Sequence, residues 1–230
     1  MALALSIGRK RVNRRQRKAA VAAASAGSAA ILCFDIGSFD AVQTDGEVHA
    51  LSRQIVQSYG FNRSATCPFR FALAGFATAS RITEALETHS SHNWLVRREE
   101  LAPWDAFPAS CGWRLLYLSA DADAVLDADA VQNCKSVLII GGLVDQAGGH
   151  AGGARVGEAH RVAEKQSIQT ARLPIDDYVV VRKPSLTCLA VVQILAGVAA
   201  TGCWKRAVQE APAMRCAPLK KYVRWKDDDI

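Results

Sequence analysis

Apolar positions change period repeatedly along the chain. "AILCFDIGSFD" (30–40) is a short apolar run that breaks at Asp35, Gly37 and Asp40, which predicts a buried strand running into a loop. In "GEVHALSRQIVQSYGFNR", Val48, Leu51, Ile55 and Val56 recur at helical spacing, and Gly60 is read as the stop. The same pattern predicts strands in "FRFALAGF", "RLLYLSAD", "SVLIIGGLVD" and "QTARLPI". It predicts helices in "SRITEALETH", "DAVLDADAVQNC" and "RVGEAHRVAEKQS", over residues 186–199, and over 203–210. "NWLVRREELAPWDAF" has neither period and is expected to be irregular. Strands alternating with helices predict an α/β fold: a mostly parallel sheet with helices on both faces. Ligands of such sheets sit beyond the carboxyl ends of the strands. That rule points to the loops at Asp35–Asp40, Ser119–Asp121 and Asp145.

The apolar stretch from Leu186 to Trp204 approaches the length of a membrane span. It carries Thr187, Gln193, Thr201 and many small residues, so a buried helix and no membrane partner are expected. The chain has 230 residues, half of them apolar, enough for one large domain. Its net charge of +6 is unevenly spread. Of 28 basic residues, seven (Arg9, Lys10, Arg11, Arg14, Arg15, Arg17 and Lys18) lie before the first acid, Asp35. The remaining 21 face 22 acids. A basic arm on a neutral body suits a polyanionic partner, a targeting signal or a solvated tail. Three segments are expected: the arm and its connector (1–29), one domain (30–212), and a charged tail (213–230). The seven cysteines form no C-x-x-C and no zinc spacing, so packed, reduced thiols and no metal are expected.

No G-x-G-x-x-G follows the first strand, and no P-loop or G-x-S-x-G elbow is present. Nucleotide-dependent redox chemistry, phosphoryl transfer and the serine-hydrolase elbow are therefore disfavoured. "GGHAGG" (148–153) is read as a flexible insertion, and the scattered histidines 89, 92, 150 and 160 as surface or core residues. What stands out is the order "LLYLSAD", "LIIGGLVD", "TARLPIDDY", "LTCLAVVQIL", preceded by "QIVQSYGFNR". Over residues 30–212 these segments resemble the tRNA methyltransferases that modify N1 of the purine at the ninth nucleotide. That family is of the SPOUT class, whose carboxyl end is tied in a deep trefoil knot.

The resemblance implies S-adenosylmethionine as methyl donor, held by the loops 118–121, 141–146, 171–174 and 186–188. The residues it assigns to the donor are Leu118, Gly141, Gly142, Gln146, Ala171, Leu173, Pro174, Leu186, Thr187 and Cys188. The two glycines would let backbone approach the ligand, the alternative being a plain strand-ending turn. Asp145 corresponds to the family's general base, which would accept the N1 proton of guanine. Guanine is favoured over adenine because adenine N1 carries no proton. The competing role for Asp145 is to cap a turn. The resemblance places Gln54, Asn62 and Arg63 near the target nucleotide, and Asp40 matches a family aspartate; Arg172 is a candidate for phosphate contact, the alternative for each being a solvated surface residue. Arg9, Lys10, Arg14 and Arg15 of the arm would contact phosphates. The resemblance also implies a monomer; the basic arm and reduced thiols suit the nucleus or cytoplasm, with the mitochondrion as a further compartment. Three features depart from the family: Ala147 and Leu189 stand where it has Asn, and the segment from Gln146 to Arg155 is longer and richer in glycine. They keep open a second function, a catalytically weak or inactive tRNA-binding scaffold.

Overall fold

The apolar run after Ala30 forms strand β1 (Ile31–Asp35), buried at every position. A strand covered on both faces needs apolar side chains in both directions, which explains the unbroken run. The structure, a computed structural model, describes residues 30–143, 157–181, 186–215 and 223–226. Helix α1 (Asp45–Asn62) follows a 3-10 turn at Asp40–Val42. Its start is fixed by a capping box. Glu47 N–H donates to Thr44 Oγ1 at 3.3 Å, and Thr44 N–H donates to Glu47 Oε2 at 2.7 Å. The helix runs past the expected stop at Gly60 and ends two residues later. Nothing crowds Gly60, so it only weakens the helix locally.

Then come β2 (Arg70–Ala74), α2 (Ser80–Glu87), β3 (Arg97–Glu99), α3 (Pro103–Ala106) and β4 (Arg114–Leu118). They are followed by α4 (Ala128–Gln132), β5 (Ser136–Gly141), α5 (Glu158–Lys165) and β6 (Gln169–Ala171). The last elements are β7 (Val179–Val181), α6 (Cys188–Thr201), α7 (Trp204–Glu210), α8 (Pro212–Arg215) and β8 (Val223–Trp225).

Six strands pair in the order β3-β2-β1-β5-β4-β6, and all five pairings are parallel. Helices cover both faces, as the alternation predicts. The larger core gathers Leu32, Phe34, Leu51, Ile55, Leu138 and Val192 between the sheet, α1 and α6. The smaller one packs Ile31, Cys33, Val137 and Ile139 against Phe107 and Ala163 of α5. No described helix is long and apolar enough to cross a membrane. The polar Gln193 of α6 accepts the Ala213 N–H at 2.7 Å, so the apolar helix carries its amide into a hydrogen bond. Gly197 lets α7 close on α6, since a Cβ there would stand 2.9 Å from Ala207 Cβ.

Four further expectations change. The stretch 94–107 contains β3 and the single turn α3 instead of irregular chain. β3 reads Arg-Arg-Glu and has no apolar signal; its pairing with β2 defines it. The helix expected from residue 123 starts only at Ala128, because Val125 bridges Arg172 in extended form. Within the segment read as a tail, β8 pairs antiparallel with β7. The thiols are not mostly packed. Among the described thiols, Cys33 and Cys188 are buried and Cys67 is half-buried, but Cys111, Cys134 and Cys203 are exposed; Cys111 closes a surface 3-10 turn, and Cys134 and Cys203 sit in connections between elements.

Edge strand β3 is stapled to α2 by its charges. Ser91 Oγ donates to Glu87 Oε1 at 2.7 Å, His92 Nδ1 meets Oε2 at 2.8 Å, and Arg98 Nη2 reaches Oε1 at 3.1 Å. These bonds, Ser91's first and then His92's, hold the Glu87 carboxyl down to about 2. A depressed acid contributes stability above its unfolded pKa and loses it as pH falls towards the folded value. Glu87→Gln should therefore cost stability at pH 7, by less than about 1 kcal/mol given the exposure of the pair. The deficit should shrink below pH 4.5 and vanish near pH 2, measured by urea unfolding across that range.

Candidate functional site

Strands β1, β4, β5 and β6 end along one edge. Asp35 lies opposite Gly141, and Leu118 lies opposite both Ile140 and Ala171. Past the last pairing, Gly142 N–H donates to the Asp35 carbonyl at 2.9 Å, and Gln43 Nε2 donates to the Gly142 carbonyl at 2.9 Å. A Cβ on Gly142 would collide with that Asp35 carbonyl; one on Gly141 would press on Tyr117 Oη at 3.3 Å and on Phe39 at 3.4 Å. The neighbour that forbids a side chain at Gly142 is the backbone of β1.

Beneath this turn sits a polar pair that the sequence pattern did not single out. Asp35 is fully buried. Its carboxylate accepts the Tyr117 hydroxyl at 2.9 Å and the Ser38 N–H at 3.1 Å. Burial pushes the Asp35 carboxyl up, and the bonds from Ser38 and Tyr117 oppose that rise. Burial, then the Asp35 charge, pushes the Tyr117 phenol well above its ordinary value. The available signal was an acid closing an apolar run. Its partner is 82 residues away in the chain, and no local period could have supplied it.

The loop after β4 lies along the end of β6. Ser119 N–H donates to the Ala171 carbonyl at 3.1 Å, Arg172 N–H to Ala124 at 2.9 Å, and Leu126 N–H to Arg172 at 2.8 Å. Leu118, Leu173 and Leu186 are each half-buried and pack on the same main core. Ala171 and Pro174 are buried. Thr187 caps α6, its hydroxyl accepting the Ala190 N–H at 3.2 Å. Cys188 is buried and its thiol is pushed up to about 12 by burial, so it stays a protonated, inert group.

The residues matched to tRNA contact divide. Gln54 Oε1 accepts the Cys188 N–H at 2.8 Å, so its carboxamide joins α1 to the start of α6. Asn62, 1% exposed, donates to the Phe69 carbonyl at 3.0 Å and accepts the Phe69 N–H at 2.9 Å. It brackets the end of α1 to the chain entering β2. Arg63 is half-buried with its guanidinium 5.5 Å from the Tyr59 ring centroid, and Arg172 is half-buried. Asp40 accepts the backbone N–H groups of Arg81 and Ile82 at 3.2 and 3.0 Å. It thus satisfies the first turn of α2. Asp145, Gln146, Arg9, Lys10, Arg14 and Arg15 lie outside the described residues.

The family model for tRNA (guanine(9)-N(1))-methyltransferase TRM10/TRM10A matches residues 4–215. The chain belongs to this family. Among similar members, mouse tRNA methyltransferase 10 homolog B is 32% identical over 154 residues, 66% of this chain and 44% of its own length. The Schizosaccharomyces pombe tRNA (guanine(9)-N1)-methyltransferase is 26% identical over 197 residues, 84% of this chain and 59% of its own. The chain thus spans less than half the length of the mammalian relative. The crystal structure of full-length spTrm10 with SAH superposes with a TM-score of 0.67 at 24% identity, covering 80% of this chain and 94% of that one. The spTrm10(74) crystal structure gives 0.65 at 25% identity, covering 79% and 91%. Strand β8 lies beyond the residues that match the family.

Tyr117→Phe removes one donor from a buried carboxylate and should cost about 1–3 kcal/mol. The sign of its pH dependence follows from Asp35. A carboxyl raised in the folded state loses stability as pH climbs from the ordinary carboxylate range through the folded pKa. Loss of the hydroxyl raises that pKa further, so the deficit should grow with pH. Thermal unfolding at pH 4.5 and pH 8 checks this; a deficit larger at pH 4.5 contradicts it.

Proposed function

We propose that this chain transfers a methyl group from S-adenosylmethionine to N1 of the purine, guanine favoured, at the ninth nucleotide of tRNA. The observation that carries this function is the match of residues 4–215 to a family defined by that reaction. The Schizosaccharomyces pombe relative bears the activity in its name, and spTrm10, whose fold this chain shares, binds SAH.

The residues present fit the donor. Half-buried Leu118, Leu173 and Leu186 offer apolar surface to an adenine, beside the backbone groups of the strand-ending loops. Thr187 and Gln54 hold the start of α6, next to Leu186. Leu189 stands in place of the family's asparagine there without disturbing this start, because the Cys188 N–H already has Gln54 as acceptor. When bound, S-adenosylmethionine supplies an electrophilic methyl group. The chain's own chemical task is to take the proton that guanine carries on N1. Asp145, two residues beyond Leu143, is our candidate for that base, with Gln146 beside it. We assign the arm residues Arg9, Lys10, Arg14 and Arg15, with Arg63 and Arg172, to tRNA phosphates. We further infer a trefoil-knotted carboxyl third and a monomeric body. What supports the knot is the SPOUT-type order of motifs, together with a return of the chain from edge strand β6 to α6, packed on α1.

Two measurements test the function. S-adenosylhomocysteine at 100 times its Kd should stabilise the chain by about 2.7 kcal/mol through linkage; no thermal shift at millimolar ligand overturns donor binding. Asp145→Asn should slow single-turnover methylation of a guanine-9 transcript by about 10²–10⁴-fold, with donor and tRNA affinities little changed. The loss on an adenine-9 transcript should be much smaller. Equal, small losses on both would leave Asp145 a structural cap.

A further inference from the structure

The opposite, amino edge of the sheet carries a cleft of about 310 Å³, lined by Ile31, Arg70, Phe71, Leu95, Arg97 and Trp113. Its floor is apolar: Ile31 and Phe71 are buried, and Leu95 is left 43% exposed at the rim. Its walls are cationic. The Arg70 guanidinium and the Lys135 ammonium lie 5.6 and 5.1 Å from the centroid of the one Trp113 ring. Arg97 lies 4.5 Å from the Phe107 ring, which meets Trp113 edge-on at 5.7 Å. Two touching aromatic rings thus gather three cations, and exposed Arg114 follows Trp113 directly. One carboxylate, Glu99, pairs with Arg97. Burial, then the charge of nearby Cys134 acting in the opposite sense, and then the like charge of Arg97, leave the Arg70 guanidinium below its usual value. An anion between these cations would relieve their repulsion.

We propose that this cleft is a second RNA-contact site, with Arg97 in the cleft and Lys135 beside Trp113 at its margin each meeting backbone phosphate and a nucleoside on the apolar floor. Cations held over aromatic rings beside an open apolar surface fit the two halves of a nucleotide. The site rests on the reading of tRNA as substrate. Five-residue strands separate it from the donor loops by about 17 Å. It therefore meets a different nucleotide from the one methylated. The cleft also adjoins the root of the basic arm: Ile31 lines it, and Lys18 is twelve residues before Ala30.

The test measures binding of an unmodified tRNA transcript to the full chain across a salt series. Arg97→Gln and Lys135→Gln should each make the slope of log K against log salt shallower by about 0.7–0.9. The double variant should bind roughly tenfold more weakly at 0.15 M salt. Both side chains are exposed, and an unchanged thermal shift with S-adenosylhomocysteine shows that the fold and donor site survive. Arg206→Gln on α7 is the matched control, since Arg206 is also exposed and ion-paired, to Glu210 at 3.0 Å. Wild-type slopes in the cleft variants, or an equal loss in Arg206→Gln, overturn the site. If the unaltered chain does not bind the transcript at all, the tRNA reading falls and the site with it.

Discussion

The bond from Gly142 N–H to the Asp35 carbonyl is the constraint on which the carboxyl edge depends. It extends the β1–β5 ladder one step beyond its last paired residues and turns the chain over the end of β1. Every neighbour of that turn is selected by it. Gly142 cannot carry a side chain, Gly141 has little room for one, and Gln43 receives the carbonyl that the turn presents. The buried Asp35 carboxylate sits under the same backbone and is held by Tyr117 from β4. Three strands are thereby tied by polar groups where the apolar sheet ends. A carboxylate in such a place is tolerable only because donors reach both of its oxygens.

The strands and helices of the sheet were largely legible because burial on two faces leaves an unmistakable signature. Ile31–Asp35 and Ser136–Gly141 could hardly be anything but central strands. β3 was not legible, since an edge strand of Arg-Arg-Glu has no apolar period and exists by pairing with β2. The same limit governs the site. The resemblance points to Leu118, Ala171 and Leu186, of which the first two close β4 and β6 and the third precedes α6. It could not show that Gln54 reaches across 134 positions to the Cys188 N–H, nor that Asn62 turns inward to Phe69. A polar residue on a helix looks the same in sequence whether it faces RNA or a neighbouring backbone.

The family's departures read differently once the packing is known. Replacing an asparagine at 189 removes a polar group, but the start of α6 is secured by Thr187 and by Gln54 from another helix. Redundant capping lets one contributor vary without unravelling the helix. At the far edge of the sheet, the aromatic pair Phe107–Trp113 gives surface cations fixed places. The two edges thus have opposite chemistry: fixed backbone and apolar leucines at one, clustered charge at the other.

Strand β7 has a consequence for the order of assembly. Its hydrogen-bonding partner, β8, lies more than forty positions later, after α6, α7 and α8 have been made. During synthesis the segment leading out of the Leu173–Pro174 loop therefore emerges with an open edge, and stays so until Val223–Trp225 has left the ribosome. Closing so long a loop costs chain entropy before any bond is gained. The sheet can form early from nearer neighbours, whereas the margin beside Leu173 and Pro174 is finished last. A nascent chain would be structured well before it was complete at this margin.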